Sequence, residues 1–161
     1  MNQHRRPILV EGYADQTLVQ ALGIPPKRIR REKNKGNICN RLRRSKDEIA
    51  IMDEDPQSPQ PRYLNQLEEI QLEEGEEDFG IRVLRDPERN HWILLLCPNL
   101  EGWILRVAGR NRVSIQQLEL PNQADELHRA WPGNLPKLEQ LVQELRARGS
   151  PELEFLRRYL R

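Results

Sequence analysis

Glu11, Asp53 and Asp55 stand where carboxylates have little reason to be. Ile8-Leu9-Val10 runs straight into Glu11, and Ile49-Ala50-Ile51-Met52 runs straight into Asp53-Glu54-Asp55. Short apolar runs bounded by turns read as buried strands. Charges at the ends of buried strands must meet something that offsets them. If the two strands are parallel neighbours, the three carboxylates gather at one sheet edge and repel one another unless a cation sits among them. A few hard oxygen ligands suit Mg²⁺ or Mn²⁺, with phosphate oxygens and water completing the shell. Such an ion stabilises the attacking and leaving oxygens of a phosphoryl transfer.

The elements that would position these groups alternate between strand and helix. Pro7–Val10 reads as the first, central strand. Asp15–Leu22 follows as a helix with Leu18, Val19 and Leu22 on one face and Gly23 closing it. Asp15 sits where that helix begins, which suits an N-cap or an acid supporting the site. Pro25-Pro26 precede a short, partly exposed strand at Lys27–Arg31. Lys33–Asn37 reads as a turn, Ile38–Ser45 as a helix, and Glu48–Met52 as the strand that delivers Asp53 and Asp55.

Beyond Pro56, Pro59 and Pro61, a helix is expected near Arg62–Leu67 and a flexible loop at Glu73–Asp78. Phe79–Leu84 and His91–Leu96 read as strands, either a hairpin or successive members of the sheet. Leu100, Trp103, Ile104 and Val107 have the spacing of one buried helical face, over Leu100–Ala108. The last third is helical in pattern: Ala124–Trp131, a stripe from Leu135 to Leu145 ending at Gly149, and Leu153–Leu160. The expected architecture is α/β: a central parallel sheet with helices on both faces over residues 1–110, and a helical extension over 111–161 packed on it.

Charge is distributed unevenly. The net charge is +1, yet residues 27–46 carry ten Lys or Arg against Glu32 alone, and residues 68–78 carry seven acids and no base. The basic run lies between the two halves of the carboxylate set, so it must return near them. Lys33, Lys35, Arg41, Arg43 and Arg44 are the candidates to hold a polyanion such as DNA or RNA, because Lys and Arg gain affinity by releasing counterions. The same run also suits a solvated surface or a face for a protein partner. Aromatic residues are sparse within it, which argues against stacking of unpaired bases there.

Composition excludes other classes. Hydrophobic residues make up 37% and charged residues 32%, with a mean hydropathy of −0.82, so a modest core and a broad charged surface are expected. The longest apolar run, Trp92–Cys97, is far short of the roughly 20 residues of a membrane helix, and Met1–Pro7 has no apolar signal-peptide core. Cys39 and Cys97 are isolated, and His4, His91 and His128 are scattered, so neither a zinc site nor a cysteine or serine nucleophile is indicated. A reducing, cytoplasmic setting is the simplest expectation.

Val10-Glu11-Gly12-Tyr13-Ala14-Asp15 with the following helix resembles the first motif of the Toprim domain, in the form seen in bacterial primases. Asp53-x-Asp55 after its strand resembles the second. The resemblance covers residues 6–66, and more loosely 6–108. Pro56 departs from the Gly-rich continuation common in primases, which weighs against primase activity. Lys33–Asn37 resembles an element of OLD-type and small Toprim proteins. Leu95–Trp103 resembles a late strand–Pro–Leu-Glu-x-Trp element whose glutamate, here Glu101, points back toward the metal; an ordinary first-turn acid is the other reading. The resemblance implies Glu11 as general acid/base or metal-linked carboxylate, Asp53 and Asp55 as Mg²⁺ ligands and Asp15 as a supporting acid. It implies a metal-dependent nuclease or related phosphoryl-transfer protein acting on nucleic acid, or a non-catalytic Toprim-like subunit that binds nucleic acid or protein.

Overall fold

A computed structural model describes residues 6–161; His4 lies outside them. Alternation of apolar runs with helical segments produces a six-stranded mixed sheet of order β2-β1-β3-β6-β5-β4. The strands are β1 (Ile8–Val10), β2 (Ile29–Arg31), β3 (Ile49–Asp53), β4 (Glu68–Glu69), β5 (Ile81–Asp86) and β6 (His91–Leu96). β2, β1, β3 and β6 run parallel, whereas β5 and β4 are added antiparallel at one side. Phe79–Leu84 and His91–Leu96 therefore form a hairpin, and the sheet centres on β3 and β6 rather than on β1.

β1, β3 and β6 are apolar on both faces, as expected where helices cover both. Ile8, Val10, Ile49, Ile51, Leu94 and Leu96 face one layer. Leu9, Ala50, Met52, Ile93 and Leu95 face the other. The first layer holds α1 (Tyr13–Ala21), α4 (Leu100–Arg110), α5 (Ala124–Ala130), α6 (Leu135–Ala147) and α7 (Pro151–Leu160). The second, thinner layer holds α2 (Lys35–Leu42) and the short α3 (Arg62–Asn65). The expected apolar face of α4 is real: Leu100, Trp103, Ile104 and Val107 are all buried.

The C-terminal extension shares this core instead of forming its own. Leu138, Leu141, Val142 and Leu145 of α6 pack in the same cluster as Leu18, Val19 and Leu22 around α1. Arg146 and Arg157 donate to the carbonyls of Ala21 and Leu22 at the end of α1, at 2.9 and 3.2 Å. Those carbonyls lack partners within the helix, and Gly23, with φ +91°, lets the chain turn away beside them.

Three local expectations differ from the structure. Lys33–Asn37 is not a free turn: Asn34 is the N-cap of α2, its side chain accepting the Asn37 N–H at 2.8 Å. α2 thus begins at Lys35, three residues before the expected Ile38, and ends at Leu42. Lys27–Arg31 starts as a 3₁₀ turn, Pro26–Arg28, before β2. The acidic run is not a loose loop. It pairs Glu69 with Arg82, forms a 3₁₀ turn at Glu76–Phe79, and sets Glu76 3.1 Å from Arg158 of α7. In these pairs the acidic segment is bound to Arg82 and Arg158, not to the basic run.

Candidate active site

β1 and β3 are parallel neighbours, so both release the chain at the same sheet edge. Glu11 is the first residue after β1 and Asp53 the last residue of β3. A cleft of about 500 Å³ opens there, lined by Glu11, Asp15, Asp53 and Glu101. Ligands of α/β sheets sit outside the carboxyl ends of the strands, and this cleft does.

Each carboxylate arrives by its own route. Gly12, with extended backbone, caps α1, so Asp15 lies in the first turn and is not the N-cap; it is buried. Asp53 Oδ1 accepts the Leu100 N–H at 2.8 Å, which fixes the start of α4 against the end of β3. That contact brings Glu101, the second residue of α4, into the cleft, where its Oε1 lies 2.8 Å from His128 Nδ1. Asp55 stands beside the cleft without lining it. Its left-handed backbone (φ 47°) and the bond from its N–H to the Pro98 carbonyl at 2.8 Å set the chain's exit there.

The electrostatics follow from crowding in a poorly hydrated place. Burial raises Asp53 to about 7, with Glu11 and Glu101 adding to the rise and the Leu100 amide opposing it. Burial also raises Asp15 well above the usual carboxylate range, helped by Asp53 and Glu11. Glu11 is raised by burial and by Asp55, while Lys35 and the backbone N–H of Asp53 pull it back. One Glu11 oxygen, Oε1, is buried with no hydrogen-bond partner among the described residues. A buried carboxylate oxygen without a donor is costly, and such an atom marks a place where a cation or a donor fits.

Among the described residues, no three His, Cys, Asp or Glu side chains form a ready ligand set for a metal ion. The four acids share a cleft, not a closed cage, since Asp53 serves Leu100 and Glu101 serves His128. Their donor chemistry, all carboxylate oxygen, fits Mg²⁺ or Mn²⁺, and the unpartnered Glu11 oxygen fits a cation.

The basic candidates divide. Lys33 lines the cleft, and Lys33, Arg43 and Arg44 are exposed. Lys35 and Arg41 are not free to hold a polyanion. Lys35 Nζ donates to the carbonyls of Asp53 and Glu54 at 2.7 and 3.0 Å and to Gln60 Oε1 at 2.8 Å. It sits there because α2 begins three residues early and aims its first side chain at the turn after β3. Arg41 is held by Glu48 at 2.8 Å and Glu32 at 3.1 Å. Lys35→Met should therefore lower stability by about 1–3 kcal/mol, the loss of ionic hydrogen bonds to half-buried partners. Lys33→Ala should leave urea unfolding unchanged; equal losses in both variants would contradict this division.

Two site residues have no local sequence signal. His128 and Trp131, from α5 and its end, line the cleft beside Pro132 and Leu135. Folding carries them there from more than a hundred residues beyond Glu11. The helical periodicity marks their helix, but nothing local marks its destination. Comparison with protein-family models, with curated proteins and with solved structures finds no match for this chain.

Proposed function

We propose that the cleft binds a divalent cation and carries out phosphoryl transfer on nucleic acid, most simply as a nuclease of Toprim type. The observation that carries this reading is the buried Oε1 of Glu11, without a hydrogen-bond partner among the described residues, in a cleft shared with Asp15, Asp53 and Glu101. Glu11 and Asp53 would hold Mg²⁺ or Mn²⁺, with Glu101 and Asp55 at its margin and Asp15 behind. The bound ion would offset the charge that develops on the phosphate oxygens. Lys35 fixes the turn that presents Asp53, Asp55 and the β3 end. Lys33 stands at the rim as a phosphate contact, with Arg43 and Arg44 as further exposed bases. Glu101 holds His128 through Nδ1, so Nε2 would be the nitrogen offered to a substrate oxygen.

One feature favours a second reading, a subunit that binds nucleic acid or protein without turnover: Asp53 and Glu101 already have partners within the protein. The same experiments separate the two. Calorimetric titration at pH 8 should show Mn²⁺ binding that Asp53→Asn weakens by roughly 100-fold or more, since even groups behind a metal's ligands cost about 10–100-fold. A labelled oligonucleotide should be cut by the parent with Mn²⁺ and not by Asp53→Asn. Binding without cutting would select the second reading. Mn²⁺ affinity equal in both proteins would overturn the cation site. Among the described residues, no helix is long and apolar enough to cross a membrane.

A further inference from the structure

The cleft carries more than charge. Among the described residues, Tyr13 is the one large apolar side chain left exposed, at 61%. It is the first residue of α1 and lines the cleft two positions after Glu11. The Arg31 guanidinium lies over its ring, 3.9 Å from the centroid. The sheet explains this placement. Arg31 pairs in register with Val10, so the end of β2 lies beside the turn that carries Tyr13. The C-terminal wall adds Trp131, 6% exposed, whose indole Nε1 is buried without a hydrogen-bond partner among the described residues.

We propose that the Tyr13–Arg31 pair is a stacking platform for one unpaired base, so that the cleft takes a single-stranded nucleic-acid end and not a duplex. The proposal rests on reading the cleft as a cation-assisted phosphoryl-transfer site, and it adds the form of the substrate. Three features carry it. An exposed aromatic ring backed by a guanidinium offers the flat apolar and cationic surface on which any base stacks. The apolar wall of Trp131, Pro132 and Leu135 has no use for a phosphate backbone but suits a base or sugar. A cleft of about 500 Å³ is of small-molecule size, enough for one nucleotide and not for a length of duplex. The basic run lacks aromatic residues, but the fold supplies one from the other side of the β1–β2 crossover.

The test uses the full chain with Mn²⁺ at low ionic strength and fluorescence anisotropy. Three labelled DNA probes of one length are compared: a single strand, the corresponding duplex, and a strand whose bases near the labelled end are replaced by abasic sites. Anisotropy is read on ice immediately after mixing, before the cleavage expected with Mn²⁺ proceeds, and gel analysis of each sample identifies any cut probe. The single strand should bind most tightly. Tyr13→Ala should weaken it roughly 5- to 150-fold, the range for one base stacked on an aromatic ring, and leave the abasic strand unchanged. Tyr13→Phe should retain the parent affinity. Thermal unfolding of Tyr13→Ala should match the parent, because the side chain is exposed.

If Tyr13→Ala binds the single strand as the parent does, or if the duplex binds at least as tightly, the platform is wrong while the phosphoryl-transfer reading stands. If Mn²⁺ binds and none of the three probes does, the platform and the choice of nucleic acid as substrate both fall. If Mn²⁺ itself does not bind, the site reading fails at its root and the platform with it.

Discussion

In a buffer free of divalent cations, Asp53→Asn should make this protein more stable at pH 8, although it removes a candidate ligand. The folded-state pKa of Asp53, about 7, lies above its ordinary value of 3.8, so the folded chain holds this proton more tightly than the unfolded chain does. Below about pH 4 both forms are protonated and Asp53 costs nothing. Between about pH 4 and 7 the unfolded chain ionises first, and stability falls as pH rises. Above about pH 7 the full penalty applies, about 4 kcal/mol at 1.36 kcal/mol per pH unit. Asparagine keeps an oxygen for the Leu100 N–H and carries no charge. Urea unfolding should therefore show the parent more stable at pH 5 than at pH 8, and the variant with a flatter profile and up to about 4 kcal/mol more stable at pH 8. Mn²⁺ should restore stability to the parent and do much less for the variant, since a ligand that binds only the folded state stabilises it. A variant less stable than the parent at pH 8 would contradict the crowded-carboxylate picture. Clefts that hold unfavourable charge for function commonly lower stability in this way.

Trp103→Ala should be the most damaging single change to the fold. Trp103 is fully buried, donates from Nε1 to the Phe79 carbonyl at 2.9 Å, and lies against Gly80. Gly80 has φ +73°, and a Cβ there would come within 3.0 Å of the indole, so the two residues fit only as a pair. Truncation should cost about 3–5 kcal/mol, as for other buried Trp and Phe positions. Its consequence reaches the cleft, because Trp103 seats the first turn of α4, which offers the Leu100 amide to Asp53 and carries Glu101. Denaturant unfolding measures the loss, and Mn²⁺ titration of the folded fraction should show weakened binding. A cost below about 1 kcal/mol would show that the core closes over the gap, since such costs depend on how well a site collapses.

The parts of the fold legible in the sequence were those with a periodic signature. The runs before Glu11 and Asp53, the face of α4 and the stripe of α6 each state their own environment, because burial on one face imposes spacing. The helical segments between β1 and β3 suit parallel strands, but with β2 also between them the adjacency of β1 and β3 entered only as the condition for gathering the carboxylates. Other features depend on partners distant in sequence, and these were not legible. Lys33-Asn34-Lys35-Gly36-Asn37 has the composition of a turn, yet the Asn34 cap makes it a helix start and turns Lys35 inward. Arg41 looks like one more base in a basic run until Glu48 arrives beneath it. Asp55 shares a motif with Asp53, but its left-handed backbone places it beside the cleft and not on its lining. His128 and Trp131 carry no mark of the site they complete, since nothing within α5 records which strand ends it will cover.

The extension packed on α1 has one further consequence. Desolvation is the leading cause of the raised proton affinities of Glu11, Asp15 and Asp53, and Trp131, Pro132 and Leu135 line the cleft in which these groups sit. These apolar residues are therefore part of the dielectric boundary that sets the acidity of carboxylates carried on β1, α1 and β3. Acids carried on residues 11 to 53 thus share a cleft with apolar side chains from residues 131 to 135, which neither ionise nor donate to them. Trp131→Ala, which admits water to the cleft, should bring these acids part of the way back toward ordinary acidity, leaving the share that their like charges impose on one another.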